Sequence, residues 1–177
     1  MAKNIELKAR LRAVSHARKT ARRLENRGSF TEHQVDTYFV CNAGRLKLRQ
    51  RSGLASQLIA YQRADDSDAK ASEYQILEVT DDGSCKSLLQ AALGILCVVD
   101  KRREVYLHEN VRIHLDDVAE LGYFVEFEAV LTEDVDESVG HGQVDRLREA
   151  FAISSTDLIA TSYSDMILNV LSQNGEG

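Results

Sequence analysis

The chain has 177 residues, 44% of them hydrophobic and 28% charged, with a net charge of −6. That length and balance support one globular domain with a sizeable core and exclude a disordered, collagen-like or fibrous chain. No apolar run approaches the roughly 20 residues that cross a bilayer, and Met1-Ala2-Lys3-Asn4 lacks the apolar stretch of a signal peptide, so the expectation is a cytoplasmic protein with no membrane contact.

In chain order, Ile5–Leu11 alternates apolar with charged residues and predicts a strand. Ser15 is placed to cap a basic amphipathic helix that carries Ala17, Ala21 and Leu24 among Arg18, Lys19, Arg22 and Arg23 and ends near Gly28. Four short alternating runs follow at Gln34–Val40, Arg45–Gln50, Gln57–Arg63 and Glu73–Val79, parted by Asn42-Ala43-Gly44, Arg51-Ser52-Gly53 and a polar stretch over 65–70. A helix is predicted over Ser84–Leu93, stopped by Gly94. Leu96–His108, Val111–Val118 and Tyr123–Thr132 read as longer strands joined by tight turns, which favours antiparallel hairpins. Helices over Val139–Ala150 and Ser155–Leu171 close a single domain, 1–173, and 174–177 read as a flexible tail. The three cysteines, Cys41, Cys85 and Cys97, have no CxxC spacing, so they read as buried free thiols instead of a disulfide framework or a zinc knuckle.

The overall charge disfavours a general nucleic-acid binder, yet it hides an asymmetry. Residues 1–63 carry 14 Lys/Arg against 4 Asp/Glu, whereas residues 64–177 carry 8 against 24. In one fold the two sets must meet, and such a meeting suits a polyanion with a divalent metal, as well as plain surface salt bridging. The strands sharpen this reading, because residues two apart share a face. Glu6, Lys8 and Arg10 fall on one face; Arg45, Lys47 and Arg49 on another; then come Tyr61 and Arg63, Lys101 and Arg103, Arg112, His114 and Asp116, and Glu126 and Glu128. A sheet with one wet face also alternates. Wholly basic Arg45-x-Lys47-x-Arg49 and wholly acidic Glu126-x-Glu128 are different, because like charges two apart repel unless a ligand or ion compensates them. With about eight strands closed into a barrel, this face would line a polar tunnel able to hold a ligand.

Asn4-Ile5-Glu6-Leu7-Lys8-Ala9-Arg10 resembles the ExExK signature of the CYTH superfamily, the triphosphate tunnel metalloenzymes. Similar blocks follow in the family's order at residues 34–39, 44–49, 101–103, 112–116, 121–128 and 157–165, and the likeness is nearest to the class IV adenylate cyclase branch. The first acidic position of ExExK is Asn4 here, a poorer ligand than Glu for a hard dication. The resemblance implies an α+β fold, a closed antiparallel eight-stranded barrel with helices packed outside. It implies Mg²⁺ or Mn²⁺ held by Glu6, Glu126 and Glu128, and a triphosphate held by Lys8, Arg10, Arg45, Lys47, Arg49, Arg63, Lys101, Arg103 and Arg112. Lys8, Lys101, His114 and Asp116 are the candidates for catalysis.

The activity implied is conversion of ATP to cyclic AMP and pyrophosphate. Hydrolysis of tripolyphosphate or thiamine triphosphate is the alternative, and a non-catalytic triphosphate-binding protein is a third reading, motivated by Asn4. Tyr38, Tyr61 and Phe39 are available to stack an organic group. The Arg18–Arg27 segment reads as a solvated helix sooner than a docking face for RNA or an acidic partner, since no aromatics interleave its charges. The resemblance leaves a homodimer open.

Overall fold

A computed structural model of the chain describes residues 2–62, 70–133 and 135–174. Arg63 and residues 175–177 of the expected tail lie outside the described residues. Within them the order is β1 (Ala2–Arg10), α1 (Val14–Leu24), β2 (Ser29–Phe39), β3 (Arg45–Arg51), β4 (Leu54–Gln62), β5 (Lys70–Val79), α2 (Asp82–Leu93), β6 (Ile95–His108), β7 (Val111–Val118), β8 (Gly122–Val130), α3 (Glu137–Ala150) and α4 (Tyr163–Asn174).

The expected strands are all present, and two helices differ from expectation. The first begins at Val14 behind Ala13, with no side-chain cap, so Ser15 lies inside it. What holds this helix is its packing: Ala17, Thr20 and Ala21 are buried. The expected 155–171 helix is broken. Ser154 and Asp157 form a reciprocal capping box that closes a single 3-10 turn at Ser155–Asp157. The chain then runs beside β1, where the Ile159 amide donates to the Lys8 carbonyl at 2.9 Å. A second reciprocal pair restarts the helix, with the Ser162 hydroxyl donating to Asp165 at 2.7 Å while the Asp165 amide donates to Ser162 Oγ at 3.2 Å. Of the cysteines, only Cys97 is buried, and Cys41 is exposed.

Neighbouring strands are all antiparallel, in the order β1-β5-β4-β3-β2-β6-β7-β8, and β8 pairs back onto β1. That β1–β8 ladder runs from Asn4↔Val130 to Arg10↔Phe124, whereas β1 meets β5 only over Ala2–Glu6. The hydrogen-bonded circuit matches the expected strand arrangement, but the wall is open on one side instead of enclosing a sealed tunnel. Phe30 and Ile76 line the cavity and are 46% and 50% exposed.

The alternation sorts residues as a two-faced wall requires. Ile5, Leu7 and Ala9 of β1 turn outward with Ile113 and Leu115 of β7 and Val125 and Phe127 of β8, into a core shared with Ala17 and Ala21 of α1 and Val144 and Leu147 of α3. Phe127 meets Phe151 edge to face at 5.1 Å; truncating such a buried ring costs about 3–5 kcal/mol. Helix α3 comes so close to β1 at Gly140 that a Cβ there would lie 2.9 Å from Leu131 and 3.0 Å from Ile5. A second cluster joins Tyr38, Cys97, Val99, Val118 and Phe124 to Tyr163 and Ile167 of α4. It forms an apolar floor to the interior.

Candidate functional site

A cavity of about 550 Å³ occupies the interior. One wall comes from β1, β7 and β8. The register sets Lys8 opposite Glu126, and Glu6 opposite Glu128. Lys8 Nζ lies 3.2 Å from Glu126, which also receives Arg103 at 3.2 Å and His114 Nδ1 at 3.2 Å. Burial raises the Glu126 pKa, but Arg103 and Lys8 outweigh it and hold this carboxyl well below the usual range. Glu128 is approached by Arg112 at 3.2 Å and by His114 Nε2 at 3.8 Å. The Asn4 amide donates to Glu128 Oε1 at 2.5 Å, while the buried Asn4 Oδ1 has no hydrogen-bond partner.

The facing wall comes from β2, β3 and β6 and is organised by Asp36, which is 1% exposed. Arg49 grips it with a two-pronged contact at 2.7 and 2.8 Å, Lys47 donates at 2.9 Å, and Lys101 stands 3.8 Å away. Burial opposes the charge on Asp36, yet Arg49, Lys47 and Lys101 keep its pKa well below the ordinary value. The lysines shift the other way. Burial, followed by the neighbouring Arg103, lowers Lys101 to about 7, and burial with Arg49 lowers Lys47 to about 8. Toward the mouth, Arg51 pairs with Glu32 at 2.9 Å, and Gln34 donates to the same carboxylate.

The floor is aromatic. Lys8 and Lys101 sit 4.2 and 5.1 Å from the Tyr163 ring, and Lys47 lies 5.4 Å from Tyr38 and 5.5 Å from Tyr61. These faces attract cations and replace part of the hydration that burial removes. Asp116 is on the same face of β7 as His114 but does not line the cavity. It holds Arg103 at 2.6 and 2.7 Å and accepts the Tyr163 hydroxyl at 2.8 Å, so it fixes both groups.

The structure thus gathers Glu6, Lys8, Lys47, Arg49, Lys101, Arg103, Arg112, His114, Glu126 and Glu128 around one cavity. Arg10 and Arg45 are not among the lining residues: Arg10 donates to the Leu121 carbonyl at 3.0 Å, and Arg45 binds Asp165 at 2.7 Å. Arg63 is outside the described residues. Glu32, Gln34, Arg51 and Tyr163 line the cavity, and Asp36 supports it, without having been singled out from the sequence. Arg51 continues the alternation of Arg45, Lys47 and Arg49, and Glu32, Gln34 and Asp36 extend that of Tyr38, so a longer reading of the same period would have found them. Tyr163 carried no such signal, because it stands at a helix start.

Oxygen donors are what a hard dication such as Mg²⁺ or Mn²⁺ accepts. Glu6 and Glu128 face each other across the β1–β8 ladder, and Asn4, whose buried Oδ1 has no hydrogen-bond partner, is among the residues that line the same cavity. Among the described residues, no three His, Cys, Asp or Glu side chains form a group that could hold a metal ion. The set fits a dication that draws its remaining ligands from phosphate and water.

The CYTH domain model matches residues 2–163. No curated protein gives a match. Among solved structures, the PH1012 protein from Pyrococcus horikoshii OT3 is similar, with a TM-score of 0.77 and 23% identity over 92% of this chain and 98% of that one. A Vibrio parahaemolyticus protein described as an adenylate cyclase candidate gives a TM-score of 0.73 and 19% identity, covering 93% and 97% of the two chains. HpAC1 from Hippeastrum, an adenylyl cyclase candidate described as having a dominant triphosphatase activity, gives 0.64 and 15%, covering 95% and 94%. At these identities the likenesses establish a shared fold.

Proposed function

The chain belongs to the CYTH domain family, and from that premise we propose that its cavity binds a triphosphate with a divalent metal and turns ATP into cyclic AMP and pyrophosphate. The observation that carries the reading is the lining itself, where Lys8, Lys47, Arg49, Arg51, Lys101, Arg103 and Arg112 converge on one space that also holds Glu6 and Glu128. Converging cations supply the charge stabilisation that phosphoryl and nucleotidyl transfer chiefly require of a protein. Arg49 and Arg103 are pre-oriented by Asp36 and Asp116, so they meet phosphate oxygens without reorganisation.

Glu6 and Glu128, with Asn4, are the residues to hold the metal. Glu126, expected in the same role, is engaged with Lys8, Arg103 and His114 and orients them from inside the cavity. A bound divalent ion supplies charge neutralisation across the phosphate oxygens. Phe30, Tyr74, Ile76, Val105 and Leu107 also line the cavity and give a nucleoside an apolar surface. In cyclisation the ribose 3′-hydroxyl attacks the α-phosphorus, pyrophosphate leaves, and the hydroxyl proton must be taken up. Lys101, brought to about 7, can accept it near neutral pH, and His114, hydrogen-bonded to Glu126, is the second candidate.

Triphosphate hydrolysis is the second reading, favoured by the depth of the cation set, which engages phosphates whether or not an organic group is attached. Product analysis separates the two, with ATP, tripolyphosphate and thiamine triphosphate each incubated with Mg²⁺ or Mn²⁺ and with chelator. Cyclic AMP and pyrophosphate are expected from ATP. Orthophosphate from the other two substrates without cyclic AMP would establish the triphosphatase, and binding without any product would leave a triphosphate-binding protein.

A further inference from the structure

The geometry points to a metal site that is one negative charge short and is completed by the triphosphate, so that the divalent ion is taken up with the triphosphate and is held poorly without it. This rests on the triphosphate reading given above. Two carboxylates and one amide oxygen are available, and each carboxylate already faces a protein cation. Glu6 Oε1 lies 3.9 Å from Lys8 Nζ, and Glu128 Oε2 lies 3.2 Å from Arg112. A dication entering alone would therefore meet a set whose charge is largely spent. A triphosphate brings several negative charges and the oxygens that octahedral coordination lacks.

Asn4 Oδ1 gives the second observation. Asn4 is 3% exposed and lines the cavity, and its amide nitrogen is committed to Glu128, which fixes which way the group faces. The oxygen is left without a hydrogen-bond partner, a costly state for a buried acceptor. Ionised phosphate oxygens are acceptors themselves and give it no relief. A cation does, and the two carboxylates beside it select a cation over a neutral donor. Asn4 thus contributes a ligand oxygen without the charge that a carboxylate at this position would add.

The test is to titrate Mn²⁺ into the substrate-free full-length chain, reading the loss of the free-ion electron paramagnetic resonance signal, and to measure tripolyphosphate affinity by calorimetry with Mn²⁺ and with chelator. Mn²⁺ is expected to strengthen tripolyphosphate binding by roughly 5–150-fold over the chelator arm. Asn4→Glu should raise the Mn²⁺ affinity of the substrate-free protein by roughly 10–100-fold and shrink that coupling. Should Asn4→Glu fail to fold by circular dichroism, Asn4→Ala serves: it should cut the Mn²⁺-dependent gain about 10-fold and leave the chelator arm unchanged. Tripolyphosphate binding with Mn²⁺ affinity indifferent to Asn4, or wild-type protein binding Mn²⁺ alone as tightly as Asn4→Glu, would overturn this inference only. Absence of tripolyphosphate binding in both arms would overturn the functional reading beneath it.

Discussion

The two walls of the cavity hold charge in opposite ways. On the β2–β3–β6 wall one buried carboxylate, Asp36, gathers three cations, Arg49, Lys47 and Lys101, while Glu32 nearer the mouth holds Arg51. On the β1–β7–β8 wall, carboxylates meet cations nearly one to one: Glu126 with Lys8 and Arg103, Glu128 with Arg112. The first wall carries surplus positive charge held in place, which suits an anion. The second is close to balanced, so it can add a dication only if negative charge arrives with it. The site's selectivity lies in how its charges are compensated as much as in how many there are.

Asp36 is the organiser of the first wall, and its removal is the most disruptive change. Asp36→Ala leaves the buried Lys47 and Lys101 and the half-buried Arg49 without their shared partner, and a loss of about 3–5 kcal/mol in unfolding free energy is expected from chemical denaturation. An unchanged denaturation midpoint would mean that the three cations find compensation elsewhere.

Varying pH sharpens the contrast with no mutation. An unfolded lysine titrates near its ordinary 10.5, whereas Lys101 and Lys47 in the fold stand at about 7 and 8. Between those values and 10.5 the unfolded chain holds protons that the native chain has lost, so the contribution of these lysines to stability rises with pH across that window. Their attraction for phosphate follows the opposite course, and tripolyphosphate affinity measured by calorimetry should fall as pH climbs past 7 and 8. The buried carboxylates behave differently: Asp36 and Glu126 contribute stability above the normal carboxylate range that is lost as pH falls toward their depressed native values. Affinity that stayed flat from pH 6 to 9 would show that neither lysine titrates there.

The smallest effect is expected away from both walls. Arg12 pairs with Asp157 at 2.9 Å while remaining 76% exposed, so Arg12→Ala should change stability by about 0–1 kcal/mol, with tripolyphosphate affinity unaltered. A large loss in either would extend the site to the outer surface.

Much of this was legible in the sequence, because period-two alternation reports which side chains share a face. Lys8 and Glu6, Lys47 and Arg49, Lys101 and Arg103, and Glu126 and Glu128 each share a face by that rule, and closure of the sheet into a barrel is what turns that face inward. Alternation reports a face but does not say where along the wall a residue sits. Arg10 and Arg45 have the right parity but lie at strand ends, where a carbonyl and Asp165 take them instead. Asp36 went unmarked because its neighbours at the same parity, Gln34 and Tyr38, are uncharged, and its importance comes from three cations on β3 and β6. The break before α4 was hidden for a different reason: two Ser/Asp caps compete locally with an apolar pattern that suits a longer helix.

The pairing of β1 with β8 also bears on how the molecule comes into being. Asn4 and Glu128 are 124 residues apart, and the ladder joining their strands places Lys8 against Glu126. Contacts between such distant segments are slow to form, because the entropy of closing the loop is lost before any contact repays it. During synthesis the first strand must therefore wait for the eighth, and until they meet neither the β1–β7–β8 wall nor the cavity exists. Substitutions that weaken this seam will slow folding and impair ligand binding together, since one event completes both.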